Sequence, residues 1–154
     1  MKENKLVELS TDFAVKIIKL CQSIKGHYSL TNQLERSATS IGANIREANY
    51  ARSKADFVAK LKISLQECNE TEYWLELIIK SELASEDIIK PLINQCGTIR
   101  RILIASINTV LQNKWNKFLT EFMKYSCRIW NSPAMKYVLR INSIKFKISI
   151  VFWF

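Results

Sequence analysis

Three glycines and two prolines in 154 residues leave this chain few places to interrupt a helix. In a helix interior glycine costs about 1 kcal/mol and proline about 3 kcal/mol relative to alanine. Strands alternating with helices would need more turn punctuation than this. Apolar residues make up 48% of the chain, enough for a real core in what its length marks as one main domain. The expected fold class is all-α.

Apolar residues recur at helical spacing, about 100° per residue, in four segments. In residues 11–25, Phe13, Ile17, Leu20, Cys21 and Ile24 share a stripe; Ser10 or Thr11 is the expected cap and Gly26 the expected stop. A second helix, from about Leu30 to Ala51 with Ser29 or Thr31 as cap, aligns Leu34, Ala38, Ile41, Ile45 and Ala48. Gly42 in its middle marks a place where another helix comes close. A third helix runs from about Ser53 to Glu82, with Phe57, Leu61, Ser64, Cys68, Leu75 and Ile79 as its core stripe. The fourth runs from about Ser85 to Gln112, with Pro91 in its early turns and Ile88, Leu92, Ile99, Ile102 and Leu103 on its apolar face. Short connections make sequential neighbours antiparallel. The expected architecture is therefore an up-down antiparallel four-helix bundle over residues 1–112.

Residues 113–154 read differently. They hold 8 Lys or Arg and one acid, Glu121, a net of +7; residues 1–112 hold 15 bases and 13 acids, a net of +2. The basic character of the chain lies in this basic, aromatic tail, and an argument from overall charge to nucleic acid weakens accordingly. Ile144, Phe146, Ile148 and Ile150 alternate as in a strand. Bases with aromatics suit a lipid interface, but the Lys, Asn, Ile and Phe bias also matches translated A/T-rich DNA. The tail is taken as a loosely ordered C-terminal extension without membrane contact.

Four cysteines, Cys21, Cys68, Cys96 and Cys127, form no CxxC pair, and His27 is the single histidine. Zinc sites cluster such residues, so no metal and no cofactor is expected, and the thiols read as small buried hydrophobes. The opening residues MKENKLVELSTDF contain no apolar run of a secretory signal, which predicts a cytoplasmic protein.

Three groups of residues are candidates for function. On the second helix Arg36, Ser40, Asn44 and Glu47 make a polar stripe beside the apolar one. On the third, Ile63, Glu67, Glu70, Trp74 and Leu77 make a mixed stripe. If the bundle buries Arg36, Glu67 or Glu70 must pair with it. The expected outcome is a register-fixing network of Arg36, Ser40, Asn44, Glu67 and Glu70, and loss of roughly 3 kcal/mol in Arg36→Ala. No nucleophile-plus-base pattern or phosphate-binding glycine loop accompanies them, so no catalytic residues are assigned. Arg46, Arg52, Lys54, Lys60 and Lys62 gather near the corner between helices two and three, a candidate phosphate-binding patch. Tyr73 and Trp74 lie off the core stripe and are candidates for a subunit interface.

Two of these segments carry a resemblance. QLERSATSIGANIREA at 33–48 and, in order, DFVAKLKISLQECNETEYWL at 56–75 resemble the four-helix bundle protein family, also called 23S rRNA-intervening-sequence proteins. The resemblance spans roughly Thr11 to Leu111 and leaves out the tail. It implies a closed bundle that assembles as a ring, commonly a homopentamer, without an established enzymatic activity. Many such proteins are encoded within insertions in 23S rRNA genes. The chain is similar, too, to the pentameric accessory proteins of diversity-generating retroelements, which associate with reverse transcriptase and nucleic acid. The expected function is a non-enzymatic homo-oligomer that scaffolds RNA, DNA or a nucleic-acid enzyme. The alternatives are a purely structural or protein-binding oligomer, and a small enzyme built on Arg36, Glu67 and Glu70.

Overall fold

A computed structural model describes residues 5–130, with backbone alone at 114 and 124–130. All four elements are helices: α1 Lys5–Ser23, α2 Tyr28–Asn49, α3 Lys54–Lys80 and α4 Glu86–Trp130. The chain divides into two units, Met1–Leu111 and Gln112–Phe154. The alternating run at 144–150 lies outside the described residues.

Local chemistry sets the helix ends. Ser53 caps α3: its hydroxyl accepts the Asp56 N–H at 3.1 Å, and the Asp56 carboxylate accepts the Arg52 N–H at 3.2 Å. This reciprocal arrangement satisfies two donors at the start of the helix. At the other end of α3, the Glu82 N–H reaches the Ile79 carbonyl and the Leu83 N–H reaches the Ile78 carbonyl. That is a Schellman cap, with Glu82 in the left-handed region at φ 54° where glycine is usual. Gly26, at φ 85°, turns the chain between α1 and α2.

Three expected boundaries need correction. Helix α1 begins near Lys5, so Ser10 and Thr11 lie inside it, and both hydroxyls donate to the Val7 carbonyl. For α2 the cap position is His27, which makes no side-chain cap bond; Thr31 is buried within the first turn and donates to the His27 carbonyl. Helix α4 does not stop at Gln112 but continues to Trp130. The sequence explains this, because no glycine or proline occurs between Gly97 and Pro133.

The core of the first unit follows the apolar stripes. Leu34, Ala38, Ile41, Ile45 and Ala48 of α2 are all buried, as are Phe13 and Ile17 of α1, Leu61, Cys68 and Leu75 of α3, and Leu92, Ile99 and Leu103 of α4. On α3 the stripe is rotated slightly from the expected one: Val58, Thr71 and Ile78 are buried, while Phe57 and Ile79 are half-buried. On α4, Ile89, Cys96 and Ile107 join the core and Ile88 faces solvent. Side-chain contacts run antiparallel between neighbours. Cys21 meets Thr31 and Thr11 meets Arg46 across α1 and α2; Ser37 meets Thr71 and Glu47 meets Lys60 across α2 and α3. Gly42 does mark a close approach: a methyl group there would lie 3.5 Å from Ser10 Oγ of α1. An alanine fits there in ordinary van der Waals contact.

Candidate functional surface

Helices α2 and α3 meet along two polar seams, one buried and one facing solvent. The buried seam uses small hydroxyls. Ser37 and Thr71 hydroxyls lie 2.9 Å apart, and both residues are buried. Thr71 Oγ1 is also 2.7 Å from the Glu67 carbonyl, and Ser37 Oγ is 3.2 Å from the Leu34 carbonyl. The two hydroxyl protons can fill two of these three contacts at a time, and the bond across the helices forms when one hydroxyl donates to the other rather than to the carbonyl of its own helix. One turn further along, Ser64 donates to the Ile41 carbonyl at 3.1 Å. A hydroxyl bonded to the neighbouring helix's backbone lets the two helices approach closely, which a larger side chain would prevent.

The outer seam holds the polar stripe that the sequence singles out. Arg36 is exposed, Ser40 and Asn44 are half-buried, Glu67 is half-buried and Glu70 is exposed. Asn44 Nδ2 donates to the Ser40 carbonyl at 2.9 Å and to Ser40 Oγ at 3.2 Å, all within α2. Among the described residues no ion pair joins Arg36 to Glu67 or Glu70. The expected buried Arg36 network is therefore not formed. The physical reason is register: Ser37, one residue on, takes the position facing α3, and the 100° step carries Arg36 out to solvent.

Trp74 sits at one end of this outer seam. Its indole N–H donates to Glu70 Oε1 at 3.2 Å, and its ring packs partly against the core. Tyr73 stacks edge-on to it at 4.8 Å and is 56% exposed. Trp74 also lines an open cavity of about 650 Å³, together with His27, Leu30, Gln33, Leu77 and Leu83.

The basic corner is partly neutralised. Lys60 pairs with Glu47 at 2.6 Å, and that hydrogen bond holds its ammonium above the ordinary lysine range. Arg46 leans the other way, towards α1, and donates to Thr11 Oγ1 at 3.2 Å. Arg52, Lys54 and Lys62 stand exposed. The five candidates thus divide: three cations at the surface, one ion-paired, one drawn over a different helix.

The cysteines behave as packing groups. Cys21, Cys68 and Cys96 are buried, and Cys96 Sγ donates to the Cys68 carbonyl at 3.5 Å. Burial, with the nearby Glu35 charge, pushes the Cys21 thiol up to about 11. The contact with Cys68 and then burial raise Cys96 as well. Raised thiols are poor nucleophiles. Among the described residues no group of three His, Cys, Asp or Glu side chains converges, and no helix is long and apolar enough to cross a membrane.

Sequence reading alone placed Ser64 in the core but missed Ser37 and Thr71. The available signal was Thr71 itself, seven residues after Ser64 on the same face.

Comparison with known proteins bears on the same residues. The family model described as 23S rRNA-intervening sequence protein matches residues 2–105. A crystal structure of a protein of unknown function from the S23 ribosomal protein family of Bacteroides thetaiotaomicron is 43% identical. It covers 66% of this chain and 97% of that one, with a TM-score of 0.63. No curated protein matches significantly.

Proposed function

The chain belongs to the 23S rRNA-intervening sequence protein family, and from that premise we propose that it is a non-enzymatic, cytoplasmic bundle subunit that assembles with copies of itself and scaffolds a nucleic acid. The observation that carries this reading is the outer α2–α3 seam. Arg36, Glu70 and Tyr73 stand at the surface, beside the half-buried Ser40, Asn44 and Trp74. Tryptophan, tyrosine and arginine are the side chains most enriched at binding hot spots. A half-sunk tryptophan fixed by a carboxylate presents a rigid apolar plane with little rotamer entropy left to lose. The ring of five subunits implied by the family resemblance is the assembly we expect.

Light scattering on residues 1–112 tests the assembly. A particle of several subunits supports it; a monomer at micromolar concentration removes it. Trp74→Ala should lower the assembled mass while leaving the helices intact.

The nucleic-acid part rests on Arg52, Lys54 and Lys62, which stand exposed at the corner. One such corner is weak, and repetition around an assembly would strengthen it by multivalency. Each neutralised phosphate contributes about −0.7 to the slope of log affinity against log salt on single strands. A slope of about −2 or steeper for RNA on residues 1–112 matches three such contacts. No binding at low salt would leave a scaffold for proteins alone.

A further inference from the structure

Among the described residues, Lys60 is the one cation of the α2–α3 corner held in an ion pair. The bond to Glu47 is short, 2.6 Å, and crosses from α3 to the last turn of α2. A carboxylate in the last turn opposes the helix dipole, so Glu47 gains nothing from α2 itself, and Lys60 is what compensates it. Lys60 stays charged: the hydrogen bond to Glu47, and then the Glu47 charge, favour its ammonium. Asp56, one helical turn before Lys60 on α3, also favours the ammonium by its charge. That carboxylate is already engaged, because it accepts the Arg52 N–H at 3.2 Å. The two acids therefore differ in freedom. Asp56 is half-buried and fixed at the start of α3, whereas the Glu47 side chain is 57% exposed.

A carboxylate oxygen and a phosphate oxygen accept the same charge-assisted hydrogen bond from an ammonium. A lysine already neutralised by a carboxylate adds nothing to the count of neutralised phosphates. We infer that Glu47 is a built-in competitor for phosphate: it closes a fourth phosphate position at Lys60, beside the three at Arg52, Lys54 and Lys62. The inference rests on the phosphate-binding reading of this corner and names the residue that limits it. The closure is loose. An exposed ion pair is weak, so opening Lys60 strengthens binding by up to about fivefold rather than by orders of magnitude. The firmer signature is the salt dependence, which counts contacts: one more neutralised phosphate steepens the slope by about 0.7 on a single strand. Over an about fourfold rise in salt, that is an additional loss of affinity of about 2.6-fold.

The test is fluorescence anisotropy of labelled poly(U) across a range of salt, on full-length chains. Bases outside the corner are common to every variant and cancel in the differences. Glu47→Gln should steepen the slope by at least about 0.7, and Glu47→Gln with Lys60→Gln should return it to the natural value. Glu35→Gln makes the same change of charge at an exposed residue about 18 Å away along α2, and should leave the slope where it was. Far-UV circular dichroism checks that the helices persist, and Glu47→Ala repeats the comparison. A natural slope in Glu47→Gln overturns the inference. So does an equal steepening in Glu35→Gln, which would make net charge the cause. A slope that stays steep when Lys60 is also removed overturns it too, because the gained contact then lies elsewhere. The corner itself is read separately. Arg52→Gln with Lys54→Gln and Lys62→Gln should flatten the natural slope by about 2. If that triple variant is flattened while Glu47→Gln is unchanged, the corner binds phosphate and only the competitor role falls. If the triple variant keeps the natural slope, the corner reading falls and the inference with it.

Discussion

The two seams between α2 and α3 are built from neighbouring residues and do opposite work. Ser37 and Arg36 are adjacent in the chain, as are Thr71 and Glu70. One member of each pair is buried and hydrogen-bonded across the helices; the other stands in solvent. The lesson is that a polar stripe on a helix does not announce its role by composition. Bulky charged groups look like the natural partners for each other, yet the interior accepts hydroxyls. A hydroxyl can return its hydrogen bond to the backbone, whereas a buried ion pair must overcome a desolvation cost of several kcal/mol per charge.

Substitutions can break or sharpen this contrast. The largest effect is expected where the inner face is apolar. Leu75→Ala should lower stability by about 3 kcal/mol in urea unfolding, since Leu75 is fully buried. Its neighbour Trp74→Ala should cost less stability and change the assembled mass instead. Equal losses for the two would erase the distinction between seams.

Thr71→Val tests the hydroxyl seam at nearly constant shape. A net loss of about 1 kcal/mol is expected. A neutral result would mean that Ser37 recovers its bonding alone, through its contact with the Leu34 carbonyl.

Arg36→Ala is expected to lie within about 0.5 kcal/mol of the natural protein, as for an exposed side chain without a buried partner. This replaces the loss of roughly 3 kcal/mol expected from a buried Arg36. Thermal melts decide between the two values.

The smallest effect concerns the surface where α1 meets α4. Asp12 accepts from Lys16 at 2.8 Å and from Gln95 Nε2 at 2.9 Å, and these bonds hold its carboxyl below the ordinary value. A folded value below the unfolded one stabilises the protein above the ordinary carboxylate range. That contribution disappears as pH falls through the lowered value. In a carboxyl NMR titration Lys16→Met should move Asp12 upward. An unmoved Asp12 would assign the shift to Gln95.

The helices were legible because their signal is periodic and local. The stripe of Leu34, Ala38, Ile41, Ile45 and Ala48 is buried throughout, and the scarcity of glycine and proline carries α4 even further than expected. Ends were less legible. Ser53 caps α3 as a serine should, but His27 stands at the start of α2 without a side-chain bond, and Glu82 takes a backbone conformation usually left to glycine. Such ends are held by backbone bonds and by packing beyond them, which propensity does not record.

The sequence by itself determined the helical class, the antiparallel order imposed by short connections, and the apolar stripes that must face inward. Those follow from hydrophobic spacing and chain length, which are properties of the chain alone. Only the tertiary structure decided which polar stripe faces the neighbouring helix, that Lys60 is bound to Glu47, and that Arg36 stands free of Glu67 and Glu70. A wheel gives each helix its faces but not its rotation against a partner. That rotation is chosen by how the side chains of both helices pack together, and a turn of one residue moves a group by 100° from core to solvent.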